Sequence, residues 1–394
     1  MYQQRQLAST LQQALANFPA VLITGPRQSG KTTLLTHEFG ANADYISFDD
    51  PLERDFALQD PNGFLARFEQ RPLILDEIQY APQLLSHLKL RIDAQPQRCG
   101  HWLLTGSQRF ALMRDVSESL AGRMAILELP PFSHSEYPRT GLEETLWTGG
   151  YPVVAMNPQR RDLWLRSYVS AYIERDVRQI RNVPDLRTFN QFLTLAAARH
   201  AQEFHPAELS RQLGVSQPTV KAWGGILEAS YIACFLPPWH RNYGKRVVKT
   251  PKCYFLDAAL VSLLTRQPDA LAALAGPLAG SLFEGWVVSE TIKAFMALGR
   301  KPELYFWRSH DGLEVDLLIA LGGKLQAVEI KLTASPSAGH LAPLNRFLKT
   351  VGSEAWEQGL LVCRTATARA LPGGHQALPW MEFPAWLMAK LRGA

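Results

Sequence analysis

Cysteine is scarce. The 394 residues hold four, Cys99, Cys234, Cys253 and Cys363, which are too widely separated for a metal-ligand cluster and suit reduced, buried thiols. No apolar run reaches the length of a membrane-spanning helix, which sets membrane partners aside. The opening MYQQRQLASTLQQALANFPA lacks the compact apolar core and small-residue cleavage pattern of a secretory signal, so a cytoplasmic protein is expected. Low-complexity segments and long repeats are missing, and none of the ten histidines has H-E-x-x-H spacing. The net charge of +5 is modest for this length, so only a clustered surplus can steer a polyanion. What remains is a chain 46% hydrophobic and 20% charged, the composition of a globular protein with two or three domains.

The most specific local signal is AVLITGPRQSGKTT at 20–33, a short apolar strand, a glycine-bracketed loop and the start of a helix. It fits G-x-x-x-x-G-K-T in the required strand–loop–helix setting. Glycines let backbone N–H groups close around phosphate oxygens, and the helix terminus adds a favourable dipole. Gly25, Pro26, Arg27, Gln28, Ser29, Gly30, Lys31, Thr32 and Thr33 are therefore the candidate ATP cradle. Lys31 is placed to reach the β- and γ-phosphates and Thr32 to hold Mg2+, with Thr33 as a neighbouring helix residue. Arg71 to Glu77 supplies an apolar strand ending in two carboxylates. Asp76 suits the magnesium shell, and Glu77 suits orienting and polarising the attacking water. A third strand-like run, 101–105, ends at Gly106-Ser107-Gln108, which makes Ser107 and Gln108 sensor candidates; a plain strand-ending turn is the alternative. Strands at 44–48 and 124–129 and a helix at 84–93 complete an α/β nucleotide-binding domain over 1–135.

These motifs, GPRQSGKTT at 25–33, LILDEIQ at 73–79, LLTGSQ at 103–108 and ESLAGR at 118–123, continue into GGYP at 149–152, YIERDV at 172–177 and KTPKCYFLDAAL at 249–260. Together they resemble the bacterial and archaeal AAA-type ATP-binding proteins, in which the ATPase domain precedes a DUF4143 region of unknown function. The resemblance spans nearly the whole chain and implies ATP binding and hydrolysis. It also makes Arg123 an interdomain or intersubunit arginine that senses the γ-phosphate, with Arg109 and Arg175 as weaker alternatives; a structural ion pair at the domain edge is the competing role for Arg123. An arginine supplied between subunits would imply a homo-oligomer.

A helical run from Arg160 toward Asn182 puts Tyr168, Tyr172 and Arg175 on one face of a connector spanning 136–188. Over 189–278 the pattern is helix, helix, a Gly214-Val215-Ser216 bend, then a helix from Gln217 to Tyr231, with Ser216 as its cap. This resembles a helix-turn-helix whose reading helix begins with Gln217, Thr219 and Lys221. Strands at 232–239 and 247–255 would form a wing. RNYGKRVVKTPK at 241–252 gathers Arg241, Lys245, Arg246, Lys249 and Lys252 with no acidic residue, a patch able to neutralise phosphates. A solvated hairpin or a basic protein-docking surface uses the same residues.

The region 279–394 begins with a helix carrying Glu284. Glu314 to Leu321, Gly322-Gly323 and Lys324 to Lys331 then read as a β-hairpin. With the glycines central, Leu321 pairs with Lys324, which sets Asp316 opposite Glu329 and Glu314 opposite Lys331 on one face. Asp316 and Glu329 then suit Mg2+ or Mn2+, and Lys331, one pair further along, suits water or phosphate charge. The set resembles the PD-(D/E)xK nuclease superfamily. That resemblance makes Asp316 the first acid, Glu329-x-Lys331 the following pair and Glu284 the acid of the preceding helix, although Val315 stands where the motif has proline. Plain cross-strand charge pairs without metal are the alternative. The expected whole is an ATP-hydrolysing switch or motor working near nucleic acid, DNA in duplex or branched form. The alternatives are an ATPase docking protein partners and a nucleotide-regulated nuclease.

Overall fold

The computed structural model describes residues 2–107, 120–173, 186–241 and 249–393. They fall into two compact units, one of Met1–Phe132 with Ala229–Tyr231 and Met296–Arg300, the other holding the remainder of the chain. Among the described residues no helix is long and apolar enough to cross a membrane.

In the first unit α1 (Leu7–Asn17), β1 (Ala20–Thr24), α2 (Lys31–Phe39), β2 (Asp44–Ser47), α3 (Pro51–Gln59), α4 (Pro61–Ala66), β3 (Leu73–Asp76), α5 (Leu84–Ala94), β4 (Trp102–Thr105) and β5 (Met124–Glu128) follow in order. The strands form one parallel sheet, β2-β3-β4-β1-β5. Both its faces are covered, which is why β1, β3 and β4 are buried at every step and apolar up to their last residues, Thr24, Asp76 and Thr105, rather than alternating. Leu22, Leu73, Leu75 and Leu104 pack with Phe64, Leu84, Leu85 and Leu88 on one side. Val21, Ile23, Ile74 and Leu103 pack with Leu7, Leu11, Leu34 and Leu35 on the other. The rigid three-layer core fixes the ends of β1, β3 and β4, from which the loop side chains project.

The second unit begins with α6 (Leu142–Thr148), α7 (Pro152–Met156) and α8 (Arg161–Tyr168). The long helix expected from Arg160 changes character at Val169–Ile173, a π-turn, and the expected partner Arg175 lies outside the described residues. GGYP and FLDAAL turn out to be one device. Gly149 has φ +65, and a Cβ there would stand 2.0 Å from Asp257 Oδ1. Asp257 accepts from Gly150 N at 2.8 Å and caps α12 (Ala258–Leu264) by accepting from Ala259 N at 2.9 Å.

Between these come α9 (Leu186–Ala198), β6 (Gln202–Glu203), α10 (Pro206–Leu213), α11 (Gln217–Ala229), β7 (Ala233–Leu236) and β8 (Lys252–Phe255). The strands form an antiparallel sheet, β6-β8-β7, so the helices precede a short ribbon as the pattern predicts, with shorter strands. After α13 (Ala270–Ala275) and α14 (Ala279–Ala297) come β9 (Leu304–Arg308), β10 (Glu314–Leu321), β11 (Lys324–Ile330), α15 (Ala342–Val351), β12 (Leu360–Cys363), β13 (Arg369–Ala370), β14 (Gln376–Pro379) and α16 (Phe383–Gly393). Their mixed sheet runs β13-β14-β12-β11-β10-β9. Gly322 and Gly323, both at positive φ, close the hairpin in the expected register, Leu321 on Lys324 through Leu317 on Val328.

Candidate functional site

The first cluster sits where β1, β3 and β4 end. Gly25, at φ +143, admits no side chain, because a Cβ would lie 2.3 Å from the Leu129 carbonyl oxygen. Gly30 turns left-handed, at φ 94, to start α2. Arg5, buried, braces this loop from behind, donating to the Ser29 carbonyl at 2.8 Å and the Pro130 carbonyl at 2.6 Å. Lys31 is buried and donates to the Pro26 and Gly25 carbonyls at 3.0 and 3.3 Å. Burial pulls its pKa down to about 8, against the pull of Glu77 and Asp76.

Asp76 gathers three hydroxyls. Thr32 Oγ1 donates to Oδ1 at 2.8 Å, Thr105 Oγ1 donates to the same oxygen, and Tyr45 OH donates to Oδ2 at 2.9 Å. Burial and then the Asp76 charge push the Tyr45 phenol up to about 12. A carboxylate beside a threonine hydroxyl is the oxygen donor set that Mg2+ prefers, so these residues fit the ion that a P-loop implies. Glu77 takes a left-handed backbone, φ 55, and its N–H donates to Thr105 Oγ1 at 3.1 Å. Ser107 Oγ donates to Glu77 Oε2 at 3.2 Å, and Gln79 Nε2 donates to that same oxygen and reaches Ser107 Oγ at 3.4 Å.

Ser107 thus stands beside Glu77, while Gln108 lies outside the described residues. Arg123 is engaged by the Asp93 carboxylate of α5 through Nε and through Nη2 at 3.1 Å, the ion pair weighed above as its competing role. Arg109 falls outside the described residues. Sequence reasoning missed Arg5, Tyr45, Thr105 and Gln79. Two of them carried a signal, Gln79 as the last residue of LILDEIQ and Thr105 within LLTGSQ.

In the second unit Gln217 and Lys221 are exposed at the start of α11, and Thr219 is tied to the cap, its Oγ1 2.8 Å from Ser216 Oγ. Ser216 Oγ accepts from Thr219 N at 3.3 Å, as a cap should. Lys245 and Arg246 lie outside the described residues, and Lys249 is exposed. Arg241 is exposed but paired with Glu354 at 2.9 Å. Lys252 corrects the expected phosphate patch. It is 3% exposed, bound to Glu314 and, at 3.1 Å, to Glu284. Alternation along β8 turns it inward, where two carboxylates compensate its charge. Burial would lower its pKa, yet Glu284, Glu314 and Asp316 raise it.

The hairpin carboxylates converge, though not as expected. Glu314 does not face Lys331; it pairs with Lys252 and, at 2.6 Å, with Arg308, where the β9–β10 register shifts beyond Val315. Lys331 does not stand apart from the two acids. It folds between the two acids, 3.1 Å from Asp316 Oδ2 and 2.6 Å from Glu329 Oε1. Asp316 Oδ2 also accepts from Ile330 N at 2.8 Å. Glu284 accepts from Tyr254 OH at 2.6 Å. Burial first, then the Asp316 charge, raise the pKa values of both Glu284 and Glu329. Burial opposes charge on Lys331, but Asp316 and Glu329 outweigh it and hold the ammonium firmly protonated. Among the described residues no three His, Cys, Asp or Glu side chains form a metal-holding group. The Lys331 ammonium stands between the two acids, where the sequence pattern set the ion.

Family models match an AAA domain over residues 17–138, a domain of unknown function (DUF8612) over 139–270 and another (DUF4143) over 279–383. The middle of the chain therefore has a family of its own, and DUF4143 is confined to the C-terminal part. The uncharacterized proteins Rv2008c of Mycobacterium tuberculosis and Mb2031c of Mycobacterium bovis are each 34% identical over 341 residues, covering 86% of this chain and 76% of their own. Among solved structures, the Walker-type ATPase PABY2304 of Pyrococcus abyssi is 15% identical with a TM-score of 0.46, over 67% of this chain and 96% of its own. The RuvB Holliday junction branch migration motor of Thermotoga maritima is 19% identical with a TM-score of 0.30, over 59% and 89%. Neither score carries an argument about this chain. Identity across most of its length and the three family models in order do: the chain belongs to the same family as these mycobacterial proteins, an AAA-domain protein with DUF8612 and DUF4143 regions.

Proposed function

We propose that this protein binds and hydrolyses ATP, and that it is a switch or motor working near nucleic acid. One observation carries the ATPase reading: Thr32 of the phosphate loop is hydrogen-bonded to Asp76, and the next residue, Glu77, is held by Ser107. When ATP enters, the Arg27–Thr32 backbone N–H groups cradle its phosphates. Lys31 exchanges the Pro26 and Gly25 carbonyls for phosphate oxygens. Thr32 and Asp76 would hold Mg2+, which supplies charge neutralisation on the phosphates. Glu77 accepts the proton of the attacking water, and Ser107 and Gln79 fix which carboxylate oxygen faces it. Single-turnover hydrolysis with equilibrium ATP binding tests this. Lys31→Ala should lose binding, and Glu77→Gln should keep binding and lose turnover; full turnover in a folded Glu77→Gln protein would overturn it.

The nucleic-acid reading is supported by the helix–ribbon order of 189–278 and by exposed Gln217, Lys221 and Lys249. Charge reversal at Lys221, Lys245, Arg246 and Lys249 should weaken binding and flatten its salt dependence. An unchanged salt slope would favour protein docking instead. A division into 1–135, 136–188, 189–278 and 279–394 accompanies this reading. A second reading, a nuclease-like module over 279–394, is favoured by one buried atom: Glu329 Oε2 has no hydrogen-bond partner among the described residues. Cleavage that needs added Mn2+ and disappears in Asp316→Ala would establish it.

A further inference from the structure

Within the second unit a cavity of about 520 Å3 opens between the end of the β7–β8 ribbon and the β9–β10 hairpin. Its floor is apolar, made by Trp239 and Phe306, both buried. The backbone locks that floor, since Trp239 N donates to the Phe306 carbonyl at 2.6 Å and Phe306 N donates to the Pro237 carbonyl at 3.1 Å. The rim carries basic residues, the exposed Lys249, Arg308 and His310. The carboxylate in the lining, Glu203, is already held by Arg308 at 2.5 Å and His205 at 3.2 Å. Lys249 makes no ion pair among the described residues.

Two neighbours give the cavity direction. Arg308 also grips Glu314, through Nε at 2.9 Å and Nη2 at 2.6 Å. Glu314 shares Lys252 with Glu284, so the rim adjoins the C-terminal carboxylates through one guanidinium. On the other side Lys249 to Pro251 also walls a second cavity of about 480 Å3, against Lys221, Gly224 and Gly225 of α11. A small-ligand site has roughly 300–1,000 Å3, an apolar lining and a few placed polar groups. Here an apolar floor lies beside an ammonium with no ion pair among the described residues, Lys249, and a guanidinium, Arg308, shared with Glu203 and Glu314. That combination suits a flat heterocycle carrying an anionic group, and guanidinium and ammonium pair most strongly with phosphate.

We infer that this cavity binds a nucleotide with a terminal phosphate, whether free or as the end residue of a strand led in past α11. The strand form rests on the nucleic-acid reading above; the nucleotide chemistry does not. The test uses the full chain carrying Lys31→Ala, which silences the phosphate loop. Affinities are measured for AMP, for a single-stranded oligonucleotide with a 5′-phosphate and for the same strand with a 5′-hydroxyl. The expected result is about a tenfold preference for the phosphorylated strand, the worth of one charge-assisted contact. Lys249→Glu and His310→Ala, two exposed positions, should each erase most of it while thermal unfolding stays unchanged. AMP binding with the same sensitivity, and no strand binding, would keep the site, assign it to free nucleotides and end the nucleic-acid reading. Strand binding blind to the phosphate and to both substitutions would overturn the site and leave that reading standing. No binding of any probe would overturn the site.

Discussion

The chain carries two pairs of carboxylates and surrounds them with opposite chemistry. Asp76 and Glu77 are neighbours at a strand end, met by four hydroxyls and one amide. Asp316 and Glu329 come from two strands of a hairpin and meet an ammonium. Neutral donors orient a carboxylate and leave its charge for a cation to use. Lys331 sets one ammonium of the protein's own between the two acids of the second pair. The same residue types thus make a site awaiting its countercharge in one unit and a self-compensated cluster in the other.

The largest expected effect breaks the first pair. Glu77→Gln should cut ATP turnover by at least about a hundredfold with ATP affinity nearly unchanged, as for removal of a general base. Asp316→Asn in the same assay should leave turnover within about twofold, since its hydrogen-bond partners, Ile330 N and Lys331, belong to the second unit.

A second experiment converts one cluster toward the other. Lys331→Met leaves Asp316 and Glu329 without their shared ammonium. Because the lysine is 37% exposed in its side chain, the loss after solvent screening should be about 2 kcal/mol, read by denaturant titration. Millimolar Mn2+ should then raise the unfolding temperature of this variant more than that of the parent. An equal response would show that the two acids cannot replace the ammonium with a metal ion.

The third uses protons. With its pKa lowered to about 8 by burial, Lys31 is partly neutral at that pH in the free protein. Phosphates favour the ammonium, so ATP binding should take up about half a proton near pH 8, and affinity should fall as pH rises through that value. Calorimetry in buffers of different ionisation enthalpy reads the uptake directly, and Lys31→Arg should abolish it. The smallest effect belongs to Tyr45→Phe, which removes one of three donors to Asp76. It should cost about 1 kcal/mol of stability and leave turnover within a few-fold.

The phosphate loop was legible because its chemistry is carried by backbone in one short stretch, and glycine spacing reports backbone directly. The hairpin register was legible because Gly322-Gly323 closes it and a strand alternates by two. The contacts of Tyr45, Thr105 and Arg5 were not legible, since each meets its partner through sheet order or across more than twenty residues of chain. Lys252 misled for a related reason. Counted along 241–252 it belongs to a basic run, but the strand that begins there turns it toward Glu284 and Glu314.

By itself the sequence determined the elements, the phosphate loop and the hairpin register from Leu321 on Lys324 to Leu317 on Val328, because all three follow from local backbone rules: glycine conformations, apolar periodicity and turn geometry. Only the tertiary structure decided what each charge meets. Lys331 closes over two acids, Lys252 is buried between two more, and Ser107 and Gln79 share one oxygen of Glu77. Such pairings depend on which strands lie side by side and how far long side chains reach, and neither is encoded in spacing along the chain.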